Sequence, residues 1–352
     1  MYLKNAWYVA AWSSEIVPGT VVARTVLEQP VALFRRGDGT LAALHDACPH
    51  RFAPLSNGVL KDGTLACRYH GLAFDGSGAC VVNPHGPILR SLGARAYPIH
   101  EAHRAAWIWM GDPGKADPAL IPDLSFLAAA PDAAFSSGEL LSGRGNYEVF
   151  ADNILDLSHT DYLHPDTLGG GAVTKAKQQI QEYDDCFDVT WFTRDVAPPP
   201  IMASLVGTLP PRTDSFSRVR WFAPGIMKLT TGLLPVDAPD ESGAVSNLNA
   251  HIMTPETART THYFFAATRN YCVDDPVLND RIAAMRRKIF ATEDKPMIEL
   301  VDERMGDNEF WSMRPVLLSI DGASVRARRR LQALIKAEQA AAPAAKAPAT
   351  AA

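Results

Sequence analysis

Apolar residues come in short, β-prone bursts over the first third of the chain. Pro30–Phe34 is one and Leu41–Leu44 the next, with Gly37-Asp38-Gly39 between them as a hairpin turn. Leu72-Ala73-Phe74 and Cys80-Val81-Val82 flank a second turn, Asp75-Gly76-Ser77-Gly78, and Ala105–Met110 is a fully apolar strand. The stretch GDPGKADPALIPD, residues 111–123, interrupts this pattern with Pro and Gly and marks a domain boundary. Beyond it the periods mix. Residues 148–164 read as helix, and 185–194, 216–235 and 262–267 read as strands. Residues 275–306 keep a helical period through Leu278, Ile282, Met285 and Ile289. The predicted organisation is a β domain over 1–120, a mixed domain over 121–336 and an Ala/Pro tail over 337–352 that is expected to be disordered.

Size and charge narrow the classes. A chain of 352 residues accommodates two domains, and 47% hydrophobic with 21% charged residues can bury a sizeable core. The net charge of −5, with no basic stripe, argues against nucleic acid and anionic membrane as partners. No apolar run approaches the ~20 residues of a membrane span. The run Ala6–Trp12 is aromatic and lacks a cleavage pattern, so it is not read as a signal peptide, and the expected location is the cytoplasm. Five cysteines without a secretion signal point to metal ligation rather than disulfides.

Two constellations carry that chemistry. Cys48-Pro49-His50 and Cys67-Arg68-Tyr69-His70 each supply one thiolate and one imidazole, with sixteen residues between His50 and Cys67. Zinc sites pair their ligands as C-x2-C or H-x3–5-H. One Cys and one His per loop suits a [2Fe–2S] cluster, two Cys on one iron and two His on the other. Zinc is the alternative. Cys80, Cys186 and Cys272 have no matching His and are expected to be small buried side chains.

The segment 152–164 holds Asp152, Asp156, Asp161, His159 and His164. Asp156 and His159 share a helix face. His164 would lie about 140° round an ideal helix from His159, but Pro165 disfavours helical geometry at His164 and lets it turn back. Two His and one carboxylate form the facial triad of ferrous oxygenases; the alternative is an amphipathic helix with a solvated acidic face. The third ligand could be local or distant; the distant candidates are Glu293, Asp294 and Asp302, among which spacing does not choose. Asp294 is expected to share an apolar face with Phe290, Met297 and Val301, where a carboxylate needs a cation. Pro296 is expected to bend that helix.

NAWYVA, CPHRFAPLS, CRYHGLAFDGSGAC, WIWMGDP, DNILDLSHTDYLHP, HIMTPET, HYFFAATRN and FATEDK occur in that order, and over about residues 1–335 the chain resembles the Rieske non-haem iron oxygenases. The resemblance is to the vanillate O-demethylase and dicamba monooxygenase branch. It implies an α+β architecture: an N-terminal all-β Rieske [2Fe–2S] domain, then a helix-grip catalytic domain with an antiparallel sheet. Carried over by position, Cys48, His50, Cys67 and His70 hold the cluster, while His159, His164 and Asp294 hold Fe(2+). Asp156 matches the aspartate that joins a cluster histidine of one subunit to an iron histidine of the next in a head-to-tail homotrimer. Asn153 matches a residue beside that site. His251 matches a pocket histidine that, with Lys228, would anchor the carboxylate of an aromatic acid through charge-assisted hydrogen bonds.

The activity implied is O2-dependent O-demethylation of a methoxylated, vanillate-like aromatic acid. The alternatives are hydroxylation of an aryl methyl group, as in a toluenesulfonate-type enzyme, and electron transfer without oxygenase chemistry. The glycine runs at 143–145 and 169–171 sit in no strand–turn–helix context for a dinucleotide, so a separate NADH-dependent flavin and [2Fe–2S] reductase is expected.

Overall fold

The structure, a computed structural model, describes residues 2–341. Val21–Val26, Gln29–Arg35 and Leu41–His45 form an antiparallel meander in the N-terminal domain. Its central strand is buried on both faces: Val31 and Leu33 join one apolar cluster, Ala32 and Phe34 another. A four-stranded sheet of Val59–Lys61, Thr64–Ala66, Ala73–Phe74 and Cys80–Val82 carries the loops that bear the cysteines. A third sheet pairs Trp7–Trp12 with Ala105–Trp109, and that strand with Ile99–Ala102. At the predicted boundary the carboxylates of Asp112 and Asp117 cap two short turns, accepting from Gly114 N at 3.0 Å and Ala119 N at 2.9 Å.

The second domain is built on a seven-stranded antiparallel sheet. Its spatial order is Phe135–Arg144, Thr260–Arg269, Val245–Thr257, Ile226–Leu234, Thr213–Phe222, Cys186–Val196 and Lys177–Glu182. The expected strand over 216–235 is thus two strands, turned by Ala223-Pro224. Side chains alternate across a strand. Ile226, Ala250, Ile252 and Phe264 therefore face the N-terminal domain, packing against Trp7, Val9, Trp107 and Trp109. The opposite face, with Leu229, Asn249 and His251, is covered by helices.

Two helical segments depart from the expected pattern. Tyr147–Leu155 is helical, but Asp156 is extended (φ −127°, ψ 94°), and its carboxylate caps the short turn Leu157–His159 through Ser158 N at 2.9 Å. Thr160–Leu163 adds one more turn, which ends at His164 (φ −123°, ψ 45°) in front of Pro165. The single helix expected over 148–164 is thus broken twice. The long helix also changes pitch: Pro276–Ile289 passes through a π turn, Phe290–Asp294, into Lys295–Met305. Pro296 cannot donate to residue 292 and its ring crowds that carbonyl, and the wider turn relieves the crowding. The register changes with it. Met297 and Val301, expected beside Asp294, are exposed, and the buried face runs through Asp294, Ile298 and Asp302.

The helix Gly322–Ala341 corrects the tail boundary. Residues 337–341, expected to be disordered, belong to it, and Glu338 accepts from the backbone N–H of Lys4 at 2.8 Å and of Asn5 at 2.6 Å. The rest of that expected tail lies outside the described residues. No helix among the described residues is long and apolar enough to cross a membrane.

Candidate metal centres and substrate cavity

The two cysteine loops repeat one backbone design. Cys48 N donates to Ala53 O and Phe52 N to Cys48 O; Cys67 N donates to Leu72 O and Gly71 N to Cys67 O, all at 2.8–2.9 Å. The fifth residue of each loop is left-handed, Phe52 at φ 59° and Gly71 at φ 76°. Glycine makes that conformation cheap at position 71, and Phe52 adopts it without that help. Cys48 and Cys67 are buried, while His50 is exposed and His70 half-buried, their rings 4.5 Å apart. Burial raises the Cys48 thiol pKa, whereas the N–H groups of His50 and Arg51 favour the thiolate. Desolvation and the neighbouring His50 and His85 hold His70 below its ordinary value, which favours a neutral ligand imidazole. Buried thiolates on one side and surface imidazoles on the other fit a two-iron cluster with unlike irons. Of the remaining cysteines only Cys186 is buried; Cys80 is half-buried and Cys272 exposed, contrary to expectation.

The second centre joins the broken helix to the π turn. One ligand atom each from His159, His164 and Asp294 lie within 4.8 Å of one another. The Nε2 atoms of His159 and His164 stand 3.4 and 2.9 Å from Asp294 Oδ1. Both Nδ1 atoms are held from behind, His164 donating to Glu293 Oε2 at 2.6 Å and His159 to the Asp156 carbonyl at 2.5 Å. Such contacts fix tautomer and ring orientation in metal sites. Asn153 Nδ2 donates to Asp294 Oδ1 at 3.2 Å. Burial works to raise Asp294, but hydrogen bonds from His159 and His164 outweigh it and hold the carboxyl at about 2. Burial works to lower His164, and Asp294 with Glu293 more than offset it. Two imidazoles on one buried carboxylate form a donor set that a divalent iron would complete in place of protons.

The other candidates near Asp294 have separate partners. Glu293 orients His164, and Asp302 accepts from Asn146 N at 2.9 Å and from Arg259 at 2.8 Å. The Asp156 carboxylate caps its turn, so within this chain the backbone carbonyl, not the side chain, meets His159.

A cavity of about 200 Å³ opens from His159, His164 and Asp294 between the sheet and the long helix. Leu157, Leu205, Leu229, Ile282, Met285 and Phe290 line it. Its polar side is the odd-numbered face of Val245–Thr257, Asn247, Asn249 and His251. His251 does not match the expectation of a charged anchor. It is buried with Nδ1 2.6 Å from the Tyr263 hydroxyl, and burial followed by the nearby Arg286 charge pushes its pKa down to about 3. Lys228 is corrected outright. It lies on the even face of its strand, its ammonium 5.3 Å from the Phe126 ring centre, and does not line the cavity.

The family model of the Rieske [2Fe–2S] domain matches residues 6–93. That of the vanillate O-demethylase oxygenase C-terminal domain matches residues 144–337. The chain belongs to the Rieske non-haem iron oxygenases. This Rieske oxygenase is 36% identical over 345 residues to the dicamba O-demethylase oxygenase component of Stenotrophomonas maltophilia, covering 96% of this chain and 99% of that protein. It is 37% identical over 346 residues to the chloroacetanilide N-alkylformylase oxygenase component of Rhizorhabdus wittichii, covering 96% and 97%. A solved structure of dicamba monooxygenase bound to 3,6-dichlorosalicylic acid matches with a TM-score of 0.91 at 36% identity, covering 96% of this chain and 99% of that one. The antiparallel catalytic sheet and β-rich Rieske domain are those the resemblance implied.

Sequence reasoning missed three residues of this oxygenase's site: Glu293 as a histidine support, Asn249, and Arg286. The first was considered only as a ligand. The alternation Asn247, Asn249, His251 was a signal for the second. Arg286 hid in the basic run Arg286-Arg287-Lys288, although Ile282 and Phe290 at i−4 and i+4 place it on the apolar face.

Proposed function

We propose that this chain is the terminal oxygenase of a multicomponent system that O-demethylates a methoxylated aromatic acid, with electrons from an NADH-dependent flavin and [2Fe–2S] reductase. One observation carries the reading: a two-histidine, one-carboxylate set whose donor atoms lie within 4.8 Å opens onto a mainly apolar cavity. His159, His164 and Asp294 would hold ferrous iron, and Cys48, Cys67, His50 and His70 the cluster. Iron held there supplies the O2 chemistry: one oxygen atom enters the methyl C–H bond, the hemiacetal collapses to a phenol and formaldehyde, and the other oxygen leaves as water with two electrons and two protons. Glu293 and the Asp156 carbonyl fix which nitrogen each imidazole presents. The apolar wall excludes water and holds the methyl group toward Asp294.

The assembly proposed is the homotrimer, in which Asp156 links His70 of one subunit to the iron site of the next. The exposure of His50 and the half-exposure of His70 and Asp156 support it, because each side chain has surface to offer a partner. Five unpaired cysteines fit a cytoplasmic location.

The test is NADH-dependent O2 uptake with a reductase on vanillate and other methoxybenzoates. Formaldehyde should appear in proportion to O2 consumed. O2 uptake yielding a hydroxymethyl arene from toluenesulfonate and no formaldehyde from methoxy acids would replace demethylation with methyl hydroxylation.

A further inference from the structure

Arg286 poses a charge problem that no other described residue resolves. Its side chain lines the substrate cavity from the helix Pro276–Ile289. One guanidinium nitrogen, Nη2, donates to Asn249 Oδ1. The other, Nη1, is buried with no hydrogen-bond partner. Among the described residues Arg286 takes part in no ion pair. Burial pulls its pKa below the usual arginine range to about 10, and the neighbours that act on its charge are the hydroxyls of Tyr263 and Tyr271. It is therefore still a cation at neutral pH. A buried charge without a partner is costly, and a fold keeps one where a ligand brings the counter-charge.

The surroundings are built for that role. Asn249 is fixed by donating Nδ2 to Leu229 O at 3.0 Å, which leaves Oδ1 to hold the guanidinium in place. Two residues further along the same strand face, His251 Nε2 is also buried and without a partner. Among the described residues the buried Tyr263 hydroxyl meets no acceptor other than Nδ1, so it donates there and Nε2 carries the ring N–H. A cation and a neutral donor thus flank Asn249 on the cavity wall. Arg286 stands eight residues before Asp294 on one continuous helix, at most about 12 Å along its axis at 1.5 Å per α-helical residue, the π turn being more compact. The anion-binding end and the iron-binding end of the cavity are therefore separate.

We propose that Arg286 is the specificity-determining residue that binds the anionic head group of the substrate, a carboxylate or sulfonate on an aromatic ring, with His251 Nε2–H as its second donor. This rests on the oxygenase reading of the cavity and names which part of it selects the ligand. A bidentate guanidinium matches either head group.

The test compares the cluster-loaded protein with its Arg286→Met and Arg286→Lys variants, using 4-methoxybenzoate, 4-methoxybenzenesulfonate and neutral methyl 4-methoxybenzoate as probes. Wild type should bind at least one anion, and Arg286→Met should bind it at least tenfold more weakly while changing the ester Kd by less than twofold. Arg286→Lys, which keeps the charge but not the fork, should fall between wild type and Arg286→Met in anion binding. Removing a buried cation that has no counter-charge should also raise the Tm of ligand-free Arg286→Met, whereas loss of a merely structural arginine lowers it. The anion with the larger loss names the head group. Unchanged anion binding in Arg286→Met, equal losses for acid and ester, or no anion bound by wild type would each overturn the proposal. Formaldehyde release from a neutral ether would still leave the oxygenase reading standing.

Discussion

Each donor atom at the proposed iron site is aimed by a neighbour, so the contribution of the aim can be measured separately from that of the ligand. Asp294→Ala should lose mononuclear iron and turnover while the cluster absorbance persists; His70→Ala should do the reverse. Metal analysis beside visible spectra checks both, and a full cluster spectrum in His70→Ala would refute the assignment. Glu293→Gln keeps every ligand but weakens the support of His164 Nδ1, and should lower iron affinity by about 10–100-fold in a chelator competition. His251 makes a pH prediction. Its folded pKa of about 3 lies below its ordinary 6.5, so below pH 6.5 the unfolded chain binds the extra proton and stability falls with pH. Between pH 7 and pH 5 the buried imidazole should contribute a loss of about 2 kcal/mol. Urea unfolding of wild type and His251→Asn at both values checks this, the variant losing correspondingly less. At this scale the proposed ligand sets were legible, because Cys and His at fixed spacing have few other uses, and the structure brings His159, His164 and Asp294 together. The state of His251 was not, since it depends on burial against Tyr263 and on a cation 35 positions away in the chain.

Among the elements, the helix Tyr147–Leu155 that carries Asn153 is tied to the last helix through Arg328. That guanidinium, 6% exposed, donates to Asp152 at 2.7 and 2.9 Å and to Glu148 at 3.2 Å. Burial raises both carboxyl pKa values, and Arg328 is the partner that opposes it. Arg328→Met would leave two carboxylates buried without their cation and should cost about 3–5 kcal/mol. A lower urea midpoint with unchanged slope would show it; an unchanged midpoint would show that water reaches these groups. The sequence revealed elements whose apolar period was clean, such as 275–306 and 262–267. It concealed Phe135–Arg144, whose FSSGELLSGR has weak strand propensity. Gly138 and Gly143 explain that composition, since a Cβ there would fall 2.3 Å from the Trp12 ring and 2.1 Å from the Phe150 ring. The π turn was equally hidden: Pro296 announced a distortion but not its form.

For the whole molecule, the proposed intersubunit route makes activity depend on assembly. Asp156→Asn should keep both metals and lose most turnover, because the amide can no longer accept from two histidines at once. Activity per chain should fall on dilution to monomers, followed by light scattering alongside O2 uptake, and full activity in a strictly monomeric preparation would sink the route. The two-domain plan was readable from the Pro/Gly boundary and the two metal motifs. The sheet that joins the domains was not, because its packing pairs tryptophans near residue 10 with strands beyond residue 220. The placement of functional groups on that sheet has a consequence for ancestry. The proposed iron donors ride on helical segments, whereas the cavity wall proposed to face the anion rides on alternate positions of one strand and one helical turn. Drift at those wall positions can give descendants new diets while the oxygen-handling machinery is inherited intact.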